Sequence, residues 1–252
     1  PSVIYINYFP NDTELNVYND ISTTSVEGKI NPDLVPSGQT WTCKNNITNT
    51  TLGDTAYTKT GYKFAGWNLL STAKIGTGTT SDQNGKKYTG TFIPVGTQLT
   101  YDQLLSTYGY ELNLYAIWEP IRYKIVYHGN GNWNDETVGT EKTSNHRYDH
   151  PQKLLKNVFT RNEGETWGSE VQPQEYEYLG WGTTSNQSTV DYNDEEEVIN
   201  LTSTDNDTVN LYALWRKDLE LIFKMQGGFY NNSEDDVVLK ASVYNSQKTY
   251  TF

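Results

Sequence analysis

GYKFAGW at 61–67 and LNLYAIW at 112–118 are followed later in the chain, in the same order, by YEYLGW at 176–181 and VNLYALW at 209–215. An aromatic-Gly-Trp phrase and then a Leu-Tyr-Ala-x-Trp phrase, recurring within one chain, mark a duplicated structural unit. Ahead of each pair stands an alternating β-branched and aromatic stretch, VIYINYF at 3–9 and YKIVYHGNGN at 123–132, which reads as a strand with one buried face. LELIFKMQGGF at 219–229 has the same strand-then-Gly form. The expected organisation is one module over 1–118, a second over 119–215 and the start of a third over 216–252. The joins EPIR at 119–122 and RKDL at 216–219 are too short to let neighbours move independently. A chain that opens on Pro1 and stops at TYTF reads as a piece of something longer.

Composition agrees with β structure. The 252 residues include 20 Tyr and 7 Trp but one Met, a profile suited to strands and turns rather than helical bundles. A formal charge of −12 repels nucleic-acid backbones and anionic lipid surfaces, and no apolar run is long enough to span a membrane. The lone Cys43 has no intrachain partner for a disulfide.

The repeated aromatics read as core. Large rings contribute disproportionately where a module has little area to bury. Alternation along 61–67 sets Tyr62, Phe64 and Gly66 on one face and Lys63, Ala65 and Trp67 on the other. Leu114, Ala116 and Trp118 share a face opposite Tyr115 and Ile117. The second copy supplies Tyr178, Gly180, Trp181, Leu211, Tyr212 and Trp215 in the same roles. Apolar bulk on both faces of the closing strand predicts that it is central, covered by a helix on one side and by a loop or neighbouring module on the other. One short helix per module is expected: TYDQLLSTY at 100–108, capped by Thr100 or Asp102, and DHPQKLLKNVF at 149–159, with Asp149 as cap and Pro151 in the first turn. The fold class is therefore α+β and β-rich, with a small mixed sheet and a short helix in each module.

An opening strand ending in Asn-Gly or Gly-Gly, then Gly-Tyr-x-Phe-x-Gly-Trp, then Leu-Tyr-Ala-x-Trp, resembles the Listeria–Bacteroides repeat, the B repeat of internalin-type surface proteins. The resemblance covers nearly the whole chain, although Glu175 stands where the second copy would have Gly. It implies tandem β-grasp-like modules in a secreted or wall-attached protein at the bacterial cell surface, acting as stalk or adhesin without catalysis. The implied partners are neighbouring repeats and a surface glycan or protein.

Chemical motifs are sparse. His146 and His150 have helical spacing, but Arg147 replaces the Glu of a zinc-protease helix and Pro151 interrupts it, so two surface histidines in a polar loop are expected. The acidic run DYNDEEE at 191–197 fails the calcium-loop template, which wants Gly where Glu196 stands. No nucleophile elbow, P-loop or dinucleotide fingerprint occurs, and no catalytic, cofactor or metal residue is assigned. An isopeptide crosslink from Lys124 or Lys224 to an Asn has no more support than ordinary exposed lysines. Trp41, Trp133 and Trp167 lie outside the repeated phrase, in inserts. They are candidates for stacking on sugar rings in a carbohydrate-binding module, with pinning of the inserts as the favoured alternative.

Overall fold

The computed structural model describes residues 2–46, 53–131, 137–138, 140–167 and 170–245. The chain is β-rich, with several small sheets and a single short helix among the described residues. It divides into two compact units. The first comprises Pro1–Tyr123 with two later segments, Arg147–His150 and Ile199–Asp207; the second comprises Lys124–His146, Pro151–Val198 and Thr208–Phe252.

In the first unit five strands form a mixed sheet in the order Asp33–Pro36, Val3–Phe9, Glu111–Pro120, Tyr62–Asn68, Phe92–Ile93. The closing strand Glu111–Pro120 is central. It runs parallel to the opening strand, with Tyr8 opposite Leu114, and antiparallel to the Gly-Trp strand, with Ala116 opposite Trp67. A parallel pair needs a crossover, and the helix Tyr101–Tyr108 lies on that path. Thr100 caps it in a capping box with Gln103, and Leu104 is fully buried in the core.

Leu114, Ala116 and Trp118 join one core with Ile4, Ile6, Tyr8 and Trp67. Ile117 and Ala65 belong to a second cluster on the opposite face, with Val17, Ala73 and Tyr88. Tyr88 comes from the insert after Gly-Trp, whose strands Ile75–Ser81 and Lys87–Tyr88 pair, so a folded loop covers that face.

Simple alternation fails within the Gly-Trp strand. Phe64 pairs with Trp118 and Gly66 with Ile117, which leaves Ala65 as the extra residue of a β-bulge. The bulge turns Phe64 and Trp67 to the same side, where their rings meet edge to face at 4.9 Å. Gly66 sits at φ 137°, a conformation that residues with a Cβ avoid.

The second sheet repeats this frame in the order Lys142–Arg147, Arg122–His128, Asp207–Phe223, Glu177–Gly182. Leu179 is the bulged residue here, between the Tyr178–Trp215 and Gly180–Leu214 pairs, and Gly180 has φ 148°. The closing strand continues without a break to Phe223 and pairs there with Val237–Tyr244. The expected helix over 149–159 does not form. Asp149 adopts φ 60°, Gln152–Lys153 pair with Glu197–Val198, and the Leu154 amide donates to the Glu196 carbonyl. Leu154 is buried while Leu155 and Val158 are exposed, so the helical spacing there serves no common face.

Candidate functional site

The signature residues of both copies are used on matching internal contacts. The Trp118 indole donates to the Pro10 carbonyl and the Trp215 indole to the Gly129 carbonyl, each at 2.8 Å. Tyr8 meets Trp67 edge to face at 4.9 Å, and Tyr127 meets Trp181 at 5.1 Å. Asn11 and Asn130, at φ 56° and 58°, follow the opening strands. Their side-chain amides donate to the carbonyls of Ala116 and Ala213 in the closing strands, and to those of Ser71 and Ser185 in the loop after Gly-Trp. Side chains committed in this way hold the frame and are not available to a ligand.

The copies differ beside the opening strand's tyrosine. In the first unit Asp33 begins the outer strand, opposite Ile6, and its Oδ2 accepts from the Tyr8 hydroxyl at 2.7 Å and the Trp41 indole N–H at 3.0 Å. Trp41 lies in Thr40–Thr42, paired with Leu99. The chain then turns in, Cys43 exchanging backbone hydrogen bonds with Thr97 and Gly96, so that Lys44 enters the core. Its carbonyl accepts from the Trp67 indole at 2.9 Å. Its ammonium lies 3.0 Å from Asp33 Oδ1, 3.1 Å from Asp54 Oδ2 and 4.7 Å from the centre of the Tyr8 ring. Asp54 Oδ1 accepts from the backbone and side-chain amides of Asn31, each at 2.9 Å. The Lys44 and Asp54 side chains are 7% and 3% exposed, Asp33 22%. An open groove bordered by Leu34, Pro36, Gln39 and Thr42 gives solvent access to the Asp33 edge.

Burial acts on the groups around this cluster. It raises the Tyr8 hydroxyl, with the Asp33 charge adding to the effect, so that Tyr8 stays a donor at all ordinary pH. The Cys43 thiol is pushed up to about 12 by burial and by Asp33, which makes it a poor nucleophile. Burial alone would raise Asp54, but the Asn31 amides and the Lys44 ammonium outweigh it and hold the carboxyl below its ordinary range.

A second polar centre joins the two later segments to the first unit. Asp149, 1% exposed, accepts from the Thr23 amide at 3.0 Å, the Thr23 hydroxyl at 2.6 Å, the Tyr62 hydroxyl at 2.5 Å and the Asn200 side chain at 2.9 Å. Burial would raise its carboxyl, and these donors bring it below the usual value. Beside it Asp20 accepts from Arg147 and lies 3.0 Å from a ring nitrogen of His150.

Of the aromatics outside the repeat, Trp41 is 4% exposed in the first core. It pins an insert and has no face for a sugar. Trp167 ends the strand Thr160–Trp167, paired with Glu170, and Trp133 lies outside the described residues. His146 is not on a polar loop but buried in the strand Lys142–Arg147, its Nε2 2.7 Å from the Ser144 hydroxyl. Within 191–197, the Asp191 carboxylate accepts from Thr183 and Gln187, and so closes the turn after Trp181. No metal-ligand cluster occurs among the described residues, and no helix among them is long and apolar enough to cross a membrane. Lys124 is exposed, and Lys224 makes a surface ion pair with Asp236.

Sequence reasoning singled out none of Asp33, Lys44 and Asp54. The carboxylates stand 11 and 10 residues from Lys44 in the chain, a spacing that matches neither helix nor strand periodicity, and the one local signal is a lysine next to an inward-facing Trp41–Cys43 pair. Compared with protein-family models, curated proteins and solved structures, the chain finds no match.

Proposed function

We propose that this chain is a non-catalytic repeat segment of an extracellular bacterial surface protein, built from tandem β-grasp-like modules of the Listeria–Bacteroides repeat type and acting as a spacer. One observation carries the reading: both copies use the tryptophans of their repeated phrases on the same internal contacts, which is the economy of an architectural module. The parallel pairing of the first and last strands of the first unit supports it. Separating the ends of such a unit shears a whole row of backbone hydrogen bonds at once. Spacing needs no cofactor. Its partners are the neighbouring modules, with adhesion to a surface glycan or protein as an added property of the inserts.

Single-molecule stretching between fused handles tests the proposal. The expected record has a separate unfolding step for each unit, recovered on relaxation. Saturable glycan binding by a chain that shows no separate unfolding steps, or hydrolysis of a polysaccharide, would favour a binding or catalytic module instead.

A further inference from the structure

The Asp33–Lys44–Asp54 cluster exceeds what the fold requires. In the second unit the hydroxyl of Tyr127, which takes the place of Tyr8, meets the Ser144 hydroxyl at 3.0 Å and accepts from the Leu155 amide, and no carboxylate is hydrogen-bonded to it among the described residues. A neutral partner therefore suffices for this corner of the sheet. The first unit instead sequesters an ammonium and two carboxylates among Tyr8, Trp41, Tyr57 and Trp67. A buried ion pair contributes little net stability once its desolvation is counted.

We propose that Lys44 and Asp33 become joined by an intramolecular isopeptide bond, with Asp54 carrying the proton. The amine nitrogen lies 3.0 Å from one oxygen of the Asp33 carboxyl, held there by the fold, which supplies the proximity that amide formation in water lacks. The other Asp33 oxygen receives the Tyr8 hydroxyl and the Trp41 indole N–H. Those two neutral donors would stabilise the negative charge that develops on Oδ2 when nitrogen adds to the carboxyl carbon. Asp54 Oδ2, 3.1 Å from the same nitrogen, is the adjacent base.

The step balances without any co-reactant. Asp54 relays a proton from the Lys44 ammonium to Asp33 Oδ1, so that a neutral amine faces a neutral carboxylic acid; the amine then forms a C–N bond to Asp33 Cγ as the C=O electron pair moves onto Oδ2. A second proton then passes from the nitrogen to Oδ1 as the C=O bond to Oδ2 re-forms. The C–Oδ1 bond breaks and one water leaves towards the open groove. The product replaces a buried cation and anion by a neutral amide, and leaves Asp54 ionised with its Asn31 donors. Lys59, the other deeply buried lysine of this unit, lacks this arrangement. It faces the single, half-exposed carboxylate of Asp12 at 3.3 Å.

Intact-mass spectrometry of the purified chain decides the matter. The expected mass is one water below that of the sequence. Trypsin should fail to cut after Lys44, so that residues 30–59 are recovered as one looped peptide whose fragmentation places the link at Asp33. Asp33→Ala and Lys44→Ala should show the full mass. Asp54→Asn, with wild-type circular dichroism, should show the full mass or acquire the loss many-fold more slowly. A wild-type chain of full mass that trypsin cuts after Lys44 would overturn the proposal. A link located at Asp54 would overturn the assignment of Asp33, and a promptly crosslinked Asp54→Asn would overturn the role given to Asp54.

Discussion

Asp149→Asn should destabilise the first unit by about 2–3 kcal/mol at neutral pH. The side chain accepts four hydrogen bonds inside the unit, two on each oxygen. Asparagine keeps one oxygen and turns the other into a donor, which then faces either the Thr23 amide and Tyr62 hydroxyl or the Thr23 hydroxyl and Asn200 amide. Bonds to a charged acceptor contribute about 1.5–3 kcal/mol each, and the two lost here are not independent, so the net falls short of their sum. The residue sits at φ 60°, where Asn is well tolerated, so the substitution removes charge without backbone strain. For a unit of this size the change corresponds to a fall in Tm of roughly 4–12 °C. The pH dependence gives the sign independently. Because the folded carboxyl lies below its unfolded value, the stabilisation is fully present above about pH 4 and is lost as pH falls through the folded value. Urea unfolding of wild type and variant at pH 7 and at low pH measures both. A difference under about 0.5 kcal/mol at pH 7, or a gap that does not narrow on acidification, would refute the account.

The bulge glycines should respond unequally. A Cβ on Gly66 would meet the Phe92 ring at 3.0 Å, whereas on Gly180 it would meet Val190 at 2.6 Å and the Tyr192 carbonyl at 2.8 Å. Gly180→Ala should thus cost more than Gly66→Ala in urea unfolding, by about 1 kcal/mol or more. Trp67→Phe should cost about 1 kcal/mol more than Trp181→Phe, since the Trp67 indole donates to Lys44 while that of Trp181 has no partner among the described residues. Cys43, 1% exposed and with a raised pKa, should resist thiol reagents in the folded chain at pH 8 and react on denaturation. Trp41→Ala should lower stability by about 3–5 kcal/mol, with no change in sugar affinity beyond what that loss explains.

Much of the frame was legible in the sequence because the duplicated phrase carries the residues the sheet cannot do without. The central place of the closing strand followed from apolar residues on both its faces, and Thr100 was visible as a cap. What escaped has a physical reason in each case. The bulge at Ala65 and Leu179 inverts a period-two pattern, and only the partner strand's register reveals it. The pattern at 149–159 matched a helix, but Asp149 is fixed in a left-handed conformation by contacts with Thr23, Tyr62 and Asn200, residues distant in sequence. Asn11 and Asn130, which bind two backbone segments each, are unremarkable in a chain so rich in asparagine.

The same contrast separates architecture from chemistry. Residues shared by the copies are explained by packing, since Trp118 and Trp215, the Tyr8–Trp67 and Tyr127–Trp181 pairs, and Asn11 and Asn130 make matching contacts in the two units. Asp33, Lys44 and Asp54 have no such explanation, because Ser144 shows that the second copy satisfies its tyrosine without them. A duplicated protein thus contains its own control: what both copies keep reports on folding, and what one copy adds at a buried position, against the cost of desolvating charge, needs a separate cause. Grafting tests this directly. Ser144→Asp alone should destabilise the second unit, because it buries a carboxylate beside the His146 imidazole rather than beside an ammonium, whereas Asp33→Ser together with Lys44→Met and Asp54→Asn should leave the first unit folded, less stable than wild type by about the 3 kcal/mol that covalent closure of so short a loop contributes. If the triple variant fails to fold, the cluster is part of the frame and the distinction drawn between the copies is wrong.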